Sequence, residues 1–387
     1  MRFLHTSDLH IGKTVCGFSM LEEQKAALDQ ILGIVGEKQV DAVFLSGDLY
    51  DRALPPSQAV TLLDTFLTRL VDMGVLVCAI AGNHDSGERI GFANRILEHK
   101  GLHMEGVLSG QVRYVDWTGQ QKKSGENVRI HMLPFAKPAQ VRDLYHTDAD
   151  TYEACMHELL KHVEYLEDGK NILLTHQFVV DCGAEPELSD SETRVSVGGA
   201  DQVEAVNFKR FDYVALGHIH GPQRIGDGPV YYSGSPIKYS FSEVCHKKSV
   251  IIGEWDENGK LIVERVSITP VHDMRKIRGK LEELTAPEVV AAADEQDYLL
   301  AVLTNEEELV DAIGTLRSVY PNIMQIQMER GKSRDSGEAE SGGADWKEKS
   351  PYELFELFFR FVMDTEMSEE QKLLVRDVIE QAKEGGA

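Results

Sequence analysis

At 387 residues the chain is too long for one small domain, so two or three structural units are expected. Its apolar content of 42% and charged content of 27% are ordinary for a soluble globular protein. The formal net charge of −24 argues against a broad basic surface that binds nucleic acid unaided. Bound cations or a partner protein could still supply the missing positive charge.

The cysteines and the N-terminus indicate a cellular compartment. The five cysteines are scattered and form no C-x-x-C pair, so we expect reduced thiols and no thiolate zinc site. The N-terminus shows no signal segment, and no run approaches the ~18 apolar residues of a membrane span. These features predict a cytoplasmic protein with no membrane partner.

Short apolar runs alternate with helical patterns over the first two-thirds of the chain. Leu28, Ile31, Leu32 and Val35 recur at helical spacing, and residues 60, 63, 66, 67 and 70 repeat the pattern. Strands that alternate with helices predict an α/β layered fold in which the helices cover the sheet faces. The predicted strands are residues 3–5, 42–45, 76–81, 171–175, 213–216 and 230–232.

The sequence pattern changes after Pro270. We expect residues 1–272 to form the main domain and residues 273–330 a small α/β unit, with two strands flanking a helix that carries Leu309, Ile313 and Leu316. Residues 331–350 contain one large apolar residue, Trp346, and cannot bury a core. They are predicted to be a flexible tether.

The last segment, residues 351–387, is apolar again and is predicted to form two helices. Ser350 and Pro351 fit the start of the first helix, and Ser368 with Gln371 fits a capping box for the second. The segment either folds back on its own domain or docks on a partner. The tether and the apolar character of the first helix favour a partner.

Five short polar clusters follow five of the predicted strands. In open α/β sheets, side chains at the carboxyl ends of strands converge, so residues distant in sequence can form one site. The glycines of the second, third and fifth clusters let the backbone bend tightly beside it. The clusters are Asp8-Leu9-His10, Gly47-Asp48, Gly82-Asn83-His84-Asp85, Thr175-His176 and Gly217-His218-Ile219-His220.

These residue types offer oxygen and imidazole nitrogen but no sulfur, and they predict a metal centre for manganese, iron, zinc or magnesium. Seven candidate ligands are too many for one ion that also binds water and substrate, so two divalent ions are expected. They are Asp8, His10, Asp48, Asn83, His176, His218 and His220. A lone histidine is usually structural, and it is the ordered set that indicates metal. Asp8 and His10 are two residues apart, as are His218 and His220, so both side chains of each pair can lie on one face if the backbone is extended.

Asp48 is the predicted bridge, because one carboxylate can contact both ions. Two such ions roughly 3.5–4 Å apart can activate a water and stabilise the phosphoryl oxygens of a phosphodiester. His84 is predicted to face the substrate and assist the leaving oxygen, with Asp85 orienting its imidazole. Asp51 and Arg52 either support the site or only form a turn. Arg89 is more simply a solvated surface charge than a contact to phosphate.

The five clusters resemble, in order, the signature motifs of calcineurin-like metallophosphoesterases. The resemblance implies a layered β-sandwich core flanked by helices. It also implies that Asp8, His10, Asp48 and His220 hold one ion, that Asp48, Asn83, His176 and His218 hold the other, and that His84 is the catalytic histidine.

Three stretches of the sequence narrow the resemblance to the SbcD nuclease subunits, namely HTSDLHIGK, GDLYDRALPPSQA and SPYELFELF. It implies 3′→5′ exonuclease action on duplex ends, endonuclease action on single strands and hairpins, and a preference for manganese. It also implies a capping domain at 273–330, a homodimer and an SbcC-type SMC-like ATPase bound by 351–387. The alternatives are a small-substrate phosphodiesterase or phosphatase on the same core, or a non-enzymatic scaffold.

Overall fold

The computed structural model describes residues 1–118, 127–192, 201–305, 307, 309–329, 351–363, 366–368, 371–372, 374–375 and 378–379. All six predicted strands are present within these residues. In chain order the strands are β1 (Arg2–Thr6), β2 (Thr14–Val15), β3 (Phe18–Ser19), β4 (Ala42–Ser46), β5 (Leu76–Ile80), β6 (Leu102–Glu105), β7 (Arg113–Thr118), β8 (Asn127–Leu133), β9 (Lys170–His176), β10 (Phe178–Val180), β11 (Gln202–Glu204), β12 (Tyr213–Gly217), β13 (Gln223–Ile225), β14 (Val230–Tyr232), β15 (Ser249–Trp255), β16 (Leu261–Ser267), β17 (Met274–Gly279), β18 (Tyr298–Leu303) and β19 (Ile323–Met328).

The helices include two long ones at the positions that the apolar spacing predicts. In the part of the chain that the structure describes, short 3-10 helices lie at Glu98–Lys100, Ala205–Phe208 and Phe241–Glu243. The α-helices of the described residues are α1 (Leu21–Lys38), α2 (Ser57–Asp72), α3 (Gly87–Ile90), α4 (Asn94–Leu97), α5 (Pro138–Tyr145), α6 (Tyr152–Leu160), α7 (Leu281–Leu284), α8 (Pro287–Val290), α9 (Ala312–Arg317) and α10 (Pro351–Met363).

Two six-stranded sheets form the centre of the fold. The first has the order β16-β15-β1-β4-β5-β6 and the second β13-β14-β12-β9-β8-β7. Their facing sides share one apolar cluster, to which Phe3 and Phe44 contribute from the first sheet and Ile172 and Tyr213 from the second. This is the layered β-sandwich that the family resemblance implies.

Helices cover the outer face of each sheet. Along β4, Val43 and Leu45 point to the helix side while Phe44 points between the sheets, so both faces of the strand are buried. Helices α1 and α2 pack on the first sheet, and α5 and α6 belong to the cluster on the second. The predicted α/β class is therefore confirmed.

A third sheet, of order β17-β18-β19, follows the sandwich. One of its faces forms a small core in which Leu299 and Ile323 pack with Leu316 and Tyr320. The other face contributes Leu300 to the same cluster as α1 and the first sheet. Residues 1–329 form one compact unit and residues 330–387 a second, and the domain boundaries at 272 and 330 stay predictions.

The second unit contains α10, which begins at Pro351 as predicted. Its described side chains include Leu354, Phe355 and Phe358, which are exposed. The backbone N–H of Ser368 donates to Gln371, and the backbone N–H of Gln371 donates to the hydroxyl of Ser368, so the predicted capping box is formed. The predicted tether at 331–350 lies outside the described residues. No described helix combines the length and hydropathy needed to cross a membrane.

Candidate metal centre

The five polar clusters meet where the two sheets present the carboxyl ends of their parallel strands. Asp8, Asp48 and Asn83 follow β1, β4 and β5 of the first sheet, while His176 ends β9 and His218 follows β12 of the second. The predicted convergence at strand ends is found. These strands belong to two sheets, however, whereas an open α/β fold would place them in a single sheet.

The backbone bends sharply at these positions. Asp8, His10, Asp48 and His218 all have positive φ, at 54°, 42°, 51° and 104°. The expectation of an extended backbone for the period-two pairs is therefore wrong, because left-handed turns aim the side chains. Gly47 has a φ of 92°, and a Cβ there would overlap the ring of His176.

Asp8, His10 and His220 form one group of potential ligand atoms, which lie within 4.8 Å of one another and are buried. The Nε2 atoms of His10 and His220 are 3.2 Å apart. Two facing imidazole nitrogens need a cation or a proton between them, since two lone pairs repel. The donor set therefore fits a divalent ion.

Asp48 lies between this group and a second one. Its Oδ2 is 3.6 Å from Nε2 of His10 and 3.4 Å from Nε2 of His176, and its Oδ1 accepts the backbone N–H of His84 at 2.8 Å. Asp8, Asp48 and His176 also form a group whose ligand atoms lie within 4.8 Å. A carboxylate in this position can contact two ions at once.

The second group gathers around the side-chain oxygen of Asn83. That Oδ1 is 3.0 Å from Nε2 of His176 and 3.1 Å from Nδ1 of His218. Nδ1 of His176 donates to the carbonyl of Ser46 at 2.8 Å, so Nε2 is the nitrogen that would present a lone pair to an ion. A cation bound here would face Nε2 of His176 and the side-chain oxygens of Asn83 and Asp48.

Electrostatics support the same interpretation. Burial raises the pKa of Asp8, whereas Asp48 remains ionised because the nearby imidazoles outweigh burial and hold its pKa well below its usual value. Burial also opposes charge on His176, but Asp48 and Asp8 raise its pKa to about 9. In the metal-free protein a proton on His176 therefore supplies part of the positive charge that the carboxylates require.

The ring of His84 is held beside the potential metal ligands. Its Nδ1 is 2.9 Å from the carbonyl oxygen of Asp51, and the ring packs edge-on against His10 with centroids 4.8 Å apart. His84 is only half-buried, so it can reach a bound substrate. It also shares one group of potential ligand atoms with His10 and Asp48.

Asp85 does not hold the ring of His84, and this prediction is wrong. Its carboxylate accepts backbone N–H groups of Leu49, Tyr50 and Gly82 at 2.9–3.0 Å. Burial, followed by the charge of Asp48, raises the pKa of Asp85 to about 6. Asp85 therefore ties together the turns after β4 and β5, and the backbone of Asp51 holds His84 instead.

Asp51 supports the site more directly than its sequence context indicates. Its carboxylate binds Nζ of Lys13 at 2.8 Å and lies 3.8 Å from Nδ1 of His10. Arg52 is largely exposed beside it, with a guanidinium nitrogen 3.7 Å from the same carboxylate. Arg89 lies instead on the surface groove formed with Phe92.

Several residues that contact the site carry no motif in the sequence. Gln24 lies in the first turn of α1 and donates to the carbonyl of His10 at 2.7 Å. Ser191, Glu192 and Glu243 surround His220. Only the folded structure shows that these residues lie beside the site, because in the sequence each is an ordinary polar residue of a helix or loop. His5 packs between the sheets and binds Tyr213 and the carbonyl of Leu216.

Two family models match the chain. Residues 1–222 match the calcineurin-like phosphoesterases, and residues 270–362 match the Type 5 capsule protein repressor C-terminal domain. Among known proteins, SbcD of Staphylococcus epidermidis, a subunit of the nuclease SbcCD, is 30% identical over 330 residues, which are 84% of this chain and 85% of that protein.

Two solved structures also match. TT1561 of Thermus thermophilus has a TM-score of 0.39 and 16% identity, with 68% of this chain and 98% of that one covered. A dimetal phosphatase from Danio rerio has a TM-score of 0.40 and 10% identity, with 70% and 97% covered. The family assignment rests on the first family model and on the SbcCD relative. The chain belongs to the calcineurin-like phosphoesterases and, within them, to the SbcD family.

Proposed function

We propose that the protein is the metal-dependent nuclease subunit of an SbcCD-type complex that processes DNA ends in repair and recombination. The observation that carries the proposal is the convergence of seven oxygen and nitrogen ligands, with His84 beside them, at the meeting edges of two sheets. Membership of the SbcD family supports DNA as the substrate.

Two divalent ions, most simply manganese, are proposed to occupy the site. Asp8, His10, Asp48 and His220 would hold one ion, and Asp48, Asn83, His176 and His218 the other. The ions would polarise the scissile phosphate and activate the attacking water. Two ligand carboxylates leave the pair of ions with a net charge of about +2, which attracts a phosphodiester in spite of the acidic surface of the protein.

His84 is proposed to assist the leaving oxygen. Because Nδ1 donates to the carbonyl of Asp51, Nε2 is the nitrogen that can deliver a hydrogen bond or a proton to the substrate. The contact with Asp51 fixes the ring without using the nitrogen that the reaction needs. Asp85 contributes indirectly, since it holds the backbone turns that carry Asp48 and His84.

The C-terminal segment 351–387 is proposed to bind an SbcC-type ATPase. The exposed Leu354, Phe355 and Phe358 give α10 an apolar surface of the kind that docks on a partner helix. The sequence contains no GxxxxGK[ST] phosphate loop, so ATP hydrolysis would belong to the partner.

A homodimer is proposed through the surface around α2, α3 and α4. Phe92 is 79% exposed and Ile96 72%, and a groove of about 330 Å³ lies beside them. Neighbouring exposed apolar side chains such as these support the proposal of a protein contact. A second copy would place two active sites across one DNA end.

The test is a cleavage assay with purified protein and manganese on blunt-ended, hairpin and single-stranded DNA, with and without the ATPase partner. We expect 3′→5′ exonuclease action on duplex ends and endonuclease action on single strands and hairpins. Hydrolysis of small phosphodiesters without any cleavage of DNA would favour the small-substrate alternative. Metal binding without any hydrolysis would favour the scaffold.

A further inference from the structure

Glu243 is a fully buried carboxylate behind His220 that the reaction described above does not use. It ends the short helix Phe241–Glu243, and its Oε1 accepts the hydroxyl of Ser191 and lies 3.4 Å from Nδ1 of His220. Its Oε2 is 2.5 Å from Nζ of Lys248. A buried carboxylate with this many contacts has a fixed orientation.

The hydrogen bonds define which nitrogen of His220 carries its proton. An ionised carboxylate only accepts, so the Ser191 hydroxyl must donate to Glu243. Ser191 can then only accept from Nδ1 of His220, which is 2.9 Å away. The imidazole is thereby held with its proton on Nδ1 and a lone pair on Nε2, the atom that lies 3.2 Å from Nε2 of His10.

The backbone of His220 is fixed by the same network. Its N–H donates to Glu192 at 2.6 Å, and its carbonyl accepts Nζ of Lys248 at 2.9 Å. Lys248 also donates to Ser235, so its three protons are all used and its charge is paired with Glu243. Both the position and the tautomer of His220 therefore depend on one buried set of groups.

We propose that Glu243 is a positioning residue which, through Ser191, fixes the Nε2 lone pair of His220 toward a divalent ion in the Asp8–His10–His220 group. The inference rests on the proposed metal centre. Carboxylates that orient metal-binding histidines typically change metal affinity by about 10–100-fold when they are removed. The effect should fall on one of the two ions, since His176 has its own partner in Ser46.

The experiment measures manganese binding by calorimetric titration and metal content of the full-length protein, with thermal unfolding followed in chelator. Glu243→Gln should weaken one of two binding steps by about 10–100-fold and leave the other unchanged. Ser191→Ala should weaken the same step, because it removes the link to His220. Unchanged binding of both ions in either folded variant would overturn the inference.

A double variant separates positioning of His220 from a purely structural role. Glu243→Gln/Lys248→Met removes both buried charges, and it should keep the metal defect if Glu243 acts on His220. Recovery of wild-type affinity in this double variant would mean that Glu243 serves only to neutralise Lys248, and would overturn the proposal.

The matched control is Glu23→Gln. It alters another buried carboxylate, whose partner is His272 at 2.7 Å, and it should leave both binding steps unchanged. Equal weakening by this control would also overturn the proposal. If the wild-type protein bound no manganese, the proposed metal centre itself would fail, which is a different result from intact binding in Glu243→Gln.

Discussion

His5 offers a quantitative test of how the two sheets pack beside the candidate metal centre. It lies on β1 and is fully buried, with Nδ1 3.0 Å from the hydroxyl of Tyr213 and Nε2 3.1 Å from the carbonyl of Leu216. Both partners belong to β12, in the opposite sheet. A neutral ring satisfies both contacts, with a proton on Nε2 and an acceptor at Nδ1.

Burial lowers the pKa of His5 from 6.5 to about 3, although the carbonyl of Leu216 partly offsets this effect. Between these two values the unfolded chain binds a proton at His5 that the folded protein does not. The free energy of unfolding must therefore fall as the pH drops below about 6.5. Between pH 6.5 and 4.5 this one group should cost roughly 2–3 kcal/mol.

The test compares wild type with His5→Gln in urea unfolding monitored by tryptophan fluorescence, in chelator, at pH 6.5, 5.5 and 4.5. At pH 6.5 the variant is less stable because it lacks the contacts of His5, and this difference from wild type should shrink by roughly 2–3 kcal/mol as the pH falls to 4.5. Other histidines are present in both proteins and cancel in the difference. Parallel losses of stability in the two proteins would refute the reasoning, and His5→Asn serves as a second variant.

Three further predictions concern the proposed function. His84→Ala should keep both metals in a metal-content measurement and lose DNA cleavage by about 10²–10⁴-fold, whereas loss of metal would mean that His84 is a ligand. Asp48→Ala should lose both ions together, and full retention of one ion would contradict the bridge. Removal of residues 351–387 should abolish co-purification with the ATPase but spare manganese-dependent cleavage of single strands; continued binding to the ATPase would contradict the docking role of this segment.

The sequence was sufficient to predict the strands and the polar clusters that follow them. Strands such as β4 are continuous apolar runs because both faces are buried. The residues after them are polar because they lie beyond the carboxyl ends of the strands, outside the apolar core. The positions of Asp8, Asp48 and His218 near one another could be inferred from this pattern. Helices α1 and α2 followed equally from their apolar spacing.

The remaining features depend on contacts between distant segments. Successive strands can belong to one sheet or to two without any change in their local sequence pattern. The β-sandwich was therefore predicted from the family resemblance and not from the pattern. The left-handed backbone at Asp8 and His10 could not be predicted, because Asp and His tolerate positive φ but occur far more often at negative φ. Asp85 and Glu243 show the same limit, because a carboxylate's partner depends on the tertiary fold.

Because the proposed ligands come from two sheets, bound ions would cross-link the two sheets of the sandwich. The first sheet supplies Asp8 and Asp48, and the second supplies His220 to one proposed ion and His176 and His218 to the other, so each proposed ion would be coordinated from both sheets. Any separation of the sheets would then require ligands to leave the ions, and metal affinity would add directly to the stability of the domain. Chelation should therefore loosen the architecture as well as stop the chemistry.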